Sequence, residues 1–243
     1  MNLPPLIRQV VVPVPPAAAF AAFTERIGAW WPVAHFSVYG PESAPAFRDG
    51  ALIETAPDGA ESVWGTVLDW QPPRSFRMTW HPGRDATGAS VVEVTFAPVT
   101  DEATLVTVTH SGWPSLETRT EYQNGWPAVL SAFANVPDAG ASDDAVVLVL
   151  RHTPAPGVEN PYTEVGFAEH GRFLEGLAER GVLVGAGPFP GSGEGMTIVR
   201  ISGVEQAAAI VRAAHFEDGA VTGGVLEVSV RPWVVMVHGS SLA

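Results

Sequence analysis

A short stretch near the middle of the chain divides the sequence into two halves. Residues 137–144 are only proline, glycine, alanine, serine and aspartate, which interrupt helices and strands and are typical of an exposed linker. A helix-like pattern precedes this stretch, and the strand-like run Ala145–Leu150 follows it. With 243 residues, the chain is long enough for two domains. We therefore predict domains at residues 1–138 and 145–243, joined by a linker at residues 139–144.

The composition restricts what the two domains can bind. Hydrophobic residues make up 46% of the chain and charged residues only 16%, so both halves can form a core and neither is expected to be disordered. The 26 acidic and 13 basic residues give a formal net charge of −13, which repels nucleic-acid backbones and anionic lipid headgroups. Without cysteine, the chain has no thiol nucleophile and no zinc–thiolate site. We predict no nucleic-acid partner, no membrane partner, no metal and no cofactor.

The sequence also predicts a location. Its first residues lack the basic and apolar segments of a signal peptide, and the longest apolar runs are too short to span a bilayer. All 13 basic residues are arginine, which together with abundant alanine, glycine and proline is typical of GC-rich bacterial genes. We expect a bacterial, cytoplasmic protein.

The first half has the pattern of an antiparallel meander enclosed by helices. A strand at Ile7–Val14 and a helix at Ala17–Ile27 precede a series of strand-like runs that are separated by turn residues. A long closing helix carries Tyr122 and Trp126 on one stripe, and Pro127 within it indicates a kink or a restart. The predicted meander strands are Ala51–Thr55, Glu61–Trp70, Ser75–His81, Ser90–Ala97 and Thr104–Ser111.

The second half has the order β-α-β-β-α-β, which is the pattern of a ferredoxin-like α+β unit. After the strand Val146–Arg151, Asn160 and Pro161 supply an N-cap and a first-turn proline for a helix that Gly181 can end. The remaining predicted elements are the strands Val182–Ala186 and Met196–Ile201, the helix Val204–Ala214 and the strand Val225–Val237.

We predict that this second domain forms a homodimer. A four-stranded sheet of this kind has helices on one face and leaves the other face bare, and an apolar bare face marks an interface. The residues that we assign to this face are Val147, Val149, Val225, Val228, Val230, Trp233, Val234 and Val235.

Aromatic residues of the first half predict a ligand cavity. A curved sheet closed by a helix leaves space between the two, and wide rings suit the walls of such a space. The expected ligand is a small hydrophobic or aromatic molecule. The alternative is that the rings form an ordinary core, with the polar Glu54, His81 and His110 at strand ends. The predicted lining residues are Trp64, Trp80, His110, Tyr122 and Trp126.

Six motifs occur in order along this half: Trp30-Trp31-Pro32, Trp64-Gly65-x-Val67, Pro72-Pro73-Arg74, Thr79-Trp80-His81-Pro82, Thr109-His110-Ser111-Gly112-Trp113 and Gly125-Trp126. Together they resemble the bacterial branch of the AHSA1-like family (activator of Hsp90 ATPase homologue) within the START/polyketide-cyclase superfamily, over about residues 6–136. The resemblance implies a helix-grip fold, in which an antiparallel sheet and a long C-terminal helix enclose a cavity for a hydrophobic ligand. It implies no shared catalytic residue.

His170 is the candidate catalytic residue of the second half. It lies three residues after Phe167 and four before Leu174, so it faces the sheet side of its helix, where an imidazole needs a hydrogen-bond partner. Asp218, just before the last strand, is the predicted partner. A carboxylate on one ring nitrogen fixes the tautomer and leaves the other nitrogen for proton transfer. The alternative is a structural histidine with a capping aspartate; His215 is a competitor that we expect at the surface.

Three further motifs lie in this half: Glu169-His170-x-x-Phe173-Leu174, Gly181-Val182-Leu183-x-x-Ala186-Gly187-Pro188, and Asp218-Gly219-x-Val221 with Glu227-Val228-x-Val230-Arg231-Pro232-Trp233. They are similar to the YCII-related family over about residues 146–235. The resemblance implies a ferredoxin-like dimer of the dimeric α+β barrel type, with a His–Asp pair in a small pocket, and His170 and Asp218 fall on that pair. The family usually has proline after the aspartate, whereas this chain has Gly219.

These features support two functions. In the first, the chain is an enzyme of small-molecule metabolism in which His170 is a general acid–base oriented by Asp218. The YCII relatives include muconolactone-isomerase-like proteins and a dehydrochlorinase, which implies isomerisation, elimination or proton transfer on an aromatic or lactone-like compound. In the second, the first domain binds a hydrophobic ligand without catalysis and the second domain only dimerises. Chaperone regulation is a third, disfavoured function, because nothing in the chain resembles the other domain of the eukaryotic activator.

Overall fold

A computed structural model describes residues 3–134 and 145–233 of the chain. The chain divides into two compact units, Met1–Gly140 and Ala141–Ala243. The predicted linker at residues 139–144 lies outside the described residues, as do Val234 and Val235 of the predicted interface. Within the described ranges, no helix is long and apolar enough to cross a membrane.

The first unit is an antiparallel sheet with helices packed against it. Its strands are β1 (Leu6–Val12), β2 (Ala44–Arg48), β3 (Ala51–Thr55), β4 (Glu61–Gln71), β5 (Ser75–Trp80), β6 (Ser90–Thr100) and β7 (Ala103–Ser111). Its helices are α1 (Pro16–Thr24), α2 (Ile27–Trp30), α3 (Leu116–Tyr122) and α4 (Gly125–Ala134). The seven strands lie in the order β1-β7-β6-β5-β4-β3-β2, so the first strand, β1, pairs with the last, β7, and β2 lies at the opposite edge.

The closing segment packs on this sheet through one helix face. In α4 the buried residues Trp126, Val129, Leu130 and Phe133 follow the three- and four-residue spacing of an amphipathic helix, and α4 packs against β1. The predicted α+β arrangement of a curled antiparallel sheet and a closing helix is confirmed. The predicted restart of the closing helix is confirmed: α3 ends at Tyr122 and α4 begins at Gly125, with Pro127 in its first turn, where a missing N–H costs no hydrogen bond.

The second unit is a four-stranded antiparallel sheet with helices. Its strands are β8 (Ala145–Pro154), β9 (Leu183–Pro188), β10 (Gly195–Ser202) and β11 (Leu226–Pro232). Its helices are α5 (Phe167–Glu179), α6 (Gly203–Phe216) and α7 (Gly219–Thr222). The strand order is β11-β8-β10-β9. Asn160 caps only the 3-10 turn Pro161–Thr163 through its side chain, so the predicted helix start was too early.

The two faces of this second sheet differ in burial, and this difference corrects the predicted dimer interface. Val225, Val228 and Val230 are buried within the unit, so they do not belong to a bare face. Val147 and Val149 of β8 are only half-buried and alternate with the fully buried residues of the same strand. The prediction was wrong for the three buried valines because it counted apolar residues on both faces of the strands.

Candidate functional sites

Aromatic side chains of the first unit enclose a cavity of about 190 Å³. Four of the five residues predicted to bind a ligand line it: Trp64 from β4, Trp80 from β5, Tyr122 from α3 and Trp126 from α4. Trp31 completes the wall, with its ring centroid 5.2 Å from that of Trp64 and 5.9 Å from that of Trp80. A wall of such rings suits a flat, apolar molecule.

The fifth predicted residue, His110, is not among the described residues that line this cavity. Its ring is fully buried, and the Trp126 indole donates a hydrogen bond to Nδ1 at 2.9 Å. Because Nδ1 accepts, the ring proton is on Nε2, which lies 2.7 Å from the Ser90 hydroxyl. Burial lowers the pKa of His110 to about 3, so the ring is neutral at physiological pH. His110 therefore holds the lining residue Trp126 in place from within the core.

Glu54 fixes one edge of the cavity. Its carboxylate, fully buried on β3, accepts hydrogen bonds from the backbone N–H groups of Val38 and Tyr39 at 2.8 and 3.0 Å. The Trp64 indole donates a further bond at 2.8 Å. Burial by itself would raise the pKa of Glu54, but the hydrogen bond from Ser43 and those from the other three donors lower it below its ordinary value. The charged carboxylate thus ties two lining residues, Val38 and Trp64, to each other.

Tyr122 supplies a hydrogen-bonding group to the cavity wall. Burial raises the pKa of Tyr122, so its hydroxyl keeps its proton at neutral pH. The other polar groups considered from the sequence, Glu54 and His81, are not among the described residues of the lining. The cavity therefore fits an apolar ring system.

In the second unit, His170 and Asp218 lie in direct contact. His170 is on α5 and Asp218 immediately precedes α7, and His170 Nδ1 lies 2.7 Å from Asp218 Oδ2. The Asp218 side chain has no exposed surface, whereas the His170 side chain is 12% exposed. The Asp218 carboxylate is therefore shielded from solvent, and only the His170 imidazole of the pair is exposed.

Asp218 is fixed by a second hydrogen bond. Its Oδ1 accepts from the Ala220 N–H at 3.0 Å, which makes Asp218 the N-cap of α7. One carboxylate oxygen therefore caps the helix and the other meets His170. At Gly219 an added Cβ would lie 2.5 Å from Cβ of Glu169, so the missing side chain lets α7 approach α5.

A second histidine, which the sequence analysis missed, lies beside this pair. His152 Nε2 is 3.6 Å from Asp218 Oδ2, and the ring centroids of His152 and His170 are 4.5 Å apart. Burial lowers the pKa of His152 to about 4. Neither nitrogen of the His152 ring has a hydrogen-bond partner among the described residues. The signal was available: Leu148, Leu150 and His152 alternate on one buried face of β8, but the predicted strand ended at Arg151, whereas β8 continues to Pro154.

Both imidazoles line a cavity of about 390 Å³. Its walls combine apolar side chains, among them Phe167, Leu174 and Met196, with backbone from the glycine-rich turn between β9 and β10. Because Nδ1 of His170 is bonded to Asp218, Nε2 is the nitrogen left for a molecule in this cavity.

His215, the competitor expected at the surface, is buried on α6 with 6% of its surface exposed. The prediction was wrong because His215 follows the buried Ala207 and Val211 at four-residue spacing, which puts it on the buried stripe of the helix. It is not among the described residues that line the cavity with His170.

The family model for activator of Hsp90 ATPase homolog 1-like proteins matches residues 13–136, just over half of the 243 residues. The chain belongs to this family. The AHSA1-like part of the sequence prediction is thereby confirmed, and all five residues predicted to bind a ligand fall within the matched range. The similarity of the second unit to the YCII-related family stays a prediction.

Three solved structures resemble the AHSA1-like part of the chain. The anthrahydroquino-γ-pyrone synthase Txn09 is 31% identical, and the match covers 56% of this chain and 98% of that protein, with a TM-score of 0.39. The self-sacrificing resistance protein CalC from Micromonospora echinospora is 23% identical, with coverages of 54% and 92% and a TM-score of 0.43. The Aha1 dimer from Colwellia psychrerythraea is 14% identical, with coverages of 54% and 93% and a TM-score of 0.41. No curated protein matches the AHSA1-like chain.

Proposed function

We propose that this AHSA1-like chain is an enzyme of small-molecule metabolism in which His170 is the acid–base catalyst and Asp218 orients it. The observation that carries the proposal is the 2.7 Å contact between His170 Nδ1 and Asp218 Oδ2, made by an imidazole that lines a cavity of about 390 Å³. A structural pair would be packed on all sides. Here Asp218 is buried and the ring of His170 borders an open space.

The chemistry follows from the tautomer. Asp218 accepts a hydrogen bond from the Nδ1–H group, so Nε2 of His170 carries a lone pair that can remove a proton from a carbon next to a carbonyl group. The imidazolium that forms is stabilised by the buried carboxylate. In an isomerisation, Nε2 returns the proton to another carbon of the same molecule. In an elimination, the electron pair of the broken C–H bond expels a leaving group from the neighbouring carbon.

The cavity limits the substrate to a small, mostly apolar molecule. Its described lining is mostly aliphatic, aromatic and glycine residues, with Glu194 as a carboxylate and no arginine, so it offers no guanidinium to a phosphate or a polycarboxylate. A neutral aromatic or lactone-like carbonyl compound fits this lining.

The experiment compares Asp218→Asn with Glu217→Gln, which removes an exposed carboxylate one position earlier. Nitrogen-15 NMR of the native chain is expected to find the proton of the His170 ring on Nδ1. The exchange of α-protons for deuterium is measured on unsaturated lactones and cyclic ketones. Asp218→Asn should slow this exchange by about 10²-fold or more, and Glu217→Gln should leave it unchanged. Equal exchange in both variants and the native chain would contradict the proposal.

The second candidate function is ligand binding by the first unit, and the ring-lined cavity of about 190 Å³ favours it. Native mass spectrometry of protein purified from its own host tests it. The expected result is a retained molecule that is lost when Trp126→Ala opens the wall, whereas a chain that carries nothing in both forms would count against binding.

The assembly is part of the same proposal. We propose a domain division at 1–138 and 145–243 around a linker at 139–144, with a ferredoxin-like, YCII-related second domain. The strand order β11-β8-β10-β9 supports this assignment, because it is the order in which a β-α-β-β-α-β chain forms one antiparallel sheet. The half-buried Val147 and Val149 support a homodimer formed through the face opposite the helices.

A further inference from the structure

Three side chains of the second unit place potential metal-ligating atoms close together. One ring nitrogen each of His152 and His170 and one carboxylate oxygen of Asp218 lie within 4.8 Å of one another. His152 comes from β8, His170 from α5, and Asp218 from the start of α7, so the three converge from separate elements of the fold. The second oxygen of Asp218 is engaged by the cap of α7, which fixes the direction of the first.

Of these three residues, His152 is the one that has no role in the acid–base pair. It is 2% exposed, and neither ring nitrogen has a hydrogen-bond partner among the described residues. A buried polar group without a partner is destabilising, so such a group marks a position where a ligand is expected. Its Nε2 is only 3.6 Å from the carboxylate that His170 also contacts.

We propose that His152, His170 and Asp218 form a binding site for a divalent transition metal ion, with Zn²⁺ as the best fit. Two imidazole nitrogens and one carboxylate oxygen are ligands that Zn²⁺ prefers, whereas Mg²⁺ and Ca²⁺ prefer oxygen ligands alone. Tetrahedral Zn²⁺ keeps such ligand atoms about 3.4 Å apart. The 3.6 Å separation of His152 and Asp218 already matches, and the 2.7 Å contact of His170 and Asp218 has to open by about 0.7 Å.

The metal and the hydrogen bond compete for the same atoms. A metal bound to Nδ1 of His170 displaces the proton that Asp218 accepts, and that proton moves to Nε2, which then has no lone pair for proton abstraction. Occupation of the site therefore switches the acid–base pair off. This consequence rests on the proposed function, whereas the metal site itself rests only on the three ligand atoms.

The test is isothermal titration of the full chain with Zn²⁺ alone, with Mg²⁺ as the comparison ion. Native protein should bind one Zn²⁺ saturably and no Mg²⁺. His152→Gln, which leaves His170 and Asp218 in place, should bind Zn²⁺ at least about tenfold more weakly. His35→Gln, at an exposed histidine of the first unit, should bind as the native chain does.

Nitrogen-15 NMR of the same samples separates this proposal from the proposed function. Zn²⁺ should move the proton of the His170 ring from Nδ1 to Nε2 in native protein and not in His152→Gln at the same concentration. Absence of Zn²⁺ binding, or equal binding by His152→Gln, would overturn the metal site and leave the acid–base pair standing. A His170 ring without an Nδ1 proton in metal-free protein would instead remove the proposed function and leave the metal site in place.

Discussion

Glu54→Gln should destabilise the first unit by about 2–5 kcal/mol. The substitution keeps the shape of the side chain but replaces one carboxylate oxygen by an NH₂ group, which cannot accept a hydrogen bond. Oε2 accepts from Val38 and Trp64, and Oε1 accepts from Tyr39. Whichever oxygen is replaced, at least one donor loses its acceptor. The remaining donors then bond to a neutral acceptor instead of a charged one. Losing one hydrogen bond to a charged group removes about 1.5–3 kcal/mol, and converting the others to bonds with a neutral acceptor removes about 0.5–2 kcal/mol more, which gives the range above.

Tryptophan fluorescence during urea unfolding measures this change in the first unit, because every tryptophan except Trp233 lies before residue 140. Glu61→Gln is the matched control. Glu61 is exposed on β4 and pairs with Arg48 at 2.6 Å, and exposed ion pairs contribute less than about 1 kcal/mol. Equal changes in unfolding free energy for both variants would refute the account of Glu54 as the anchor of the cavity edge.

The pH dependence gives a second measure of the same side chain. Since the hydrogen bonds lower the pKa of Glu54 in the folded state, its contribution is present above the ordinary glutamate pKa and is lost as the pH falls through the lowered value. The difference between native and Glu54→Gln chains should therefore shrink below about pH 4. A difference that stays constant through this range would mean that the charge of Glu54 has no part in it.

Three further predictions concern other parts of the chain. Because burial lowers the pKa of His110 to about 3, the first unit should lose up to about 5 kcal/mol of stability as the pH falls from about 6.5 toward 3, measured by denaturant unfolding; a flat profile down to pH 5 would contradict it. Gly65→Ala should lower the stability of the first unit by more than about 3 kcal/mol, because the added Cβ would lie 1.8 Å from the carbonyl oxygen of Thr79. An unchanged midpoint of thermal unfolding would show that β4 and β5 can move apart at Gly65 without loss of stability. The native chain should sediment as a dimer and Val149→Asp as a monomer, whereas a native monomer at micromolar concentration would count against the interface.

Much of the first unit could be predicted from its sequence, since alternation and turn residues mark the long strands of the meander. The strand Ala51–Thr55 was predicted to the residue. β2 was missed because Ala44–Arg48 is short, contains Pro45 and lies at the edge of the sheet, where pairing on one side suffices. An edge strand of this kind leaves little pattern in the sequence.

The site residues that could be predicted are those with a recognisable sequence pattern around them. Helical spacing and a motif were enough to nominate His170 and Asp218, although they lie 48 residues apart. His152 has no motif around it, and its position depends on which strand neighbours α5 in three dimensions. His110 has a motif but was predicted to contact ligand, because a sequence does not distinguish a ring that lines a cavity from one that supports the lining.

The close approach of Gly219 to Glu169 has a consequence for how this site can evolve. A Cβ at position 219 would lie 2.5 Å from Cβ of Glu169 and 2.9 Å from its Cγ, so neither residue can grow without the other shrinking. Position 169 directly precedes His170, and position 219 directly follows Asp218. Related chains should therefore show correlated substitution, with a larger residue at 219 accompanied by glycine at 169. Substitutions at positions 169 and 219 would change the distance between the side chains of His170 and Asp218 while leaving both residues in the sequence.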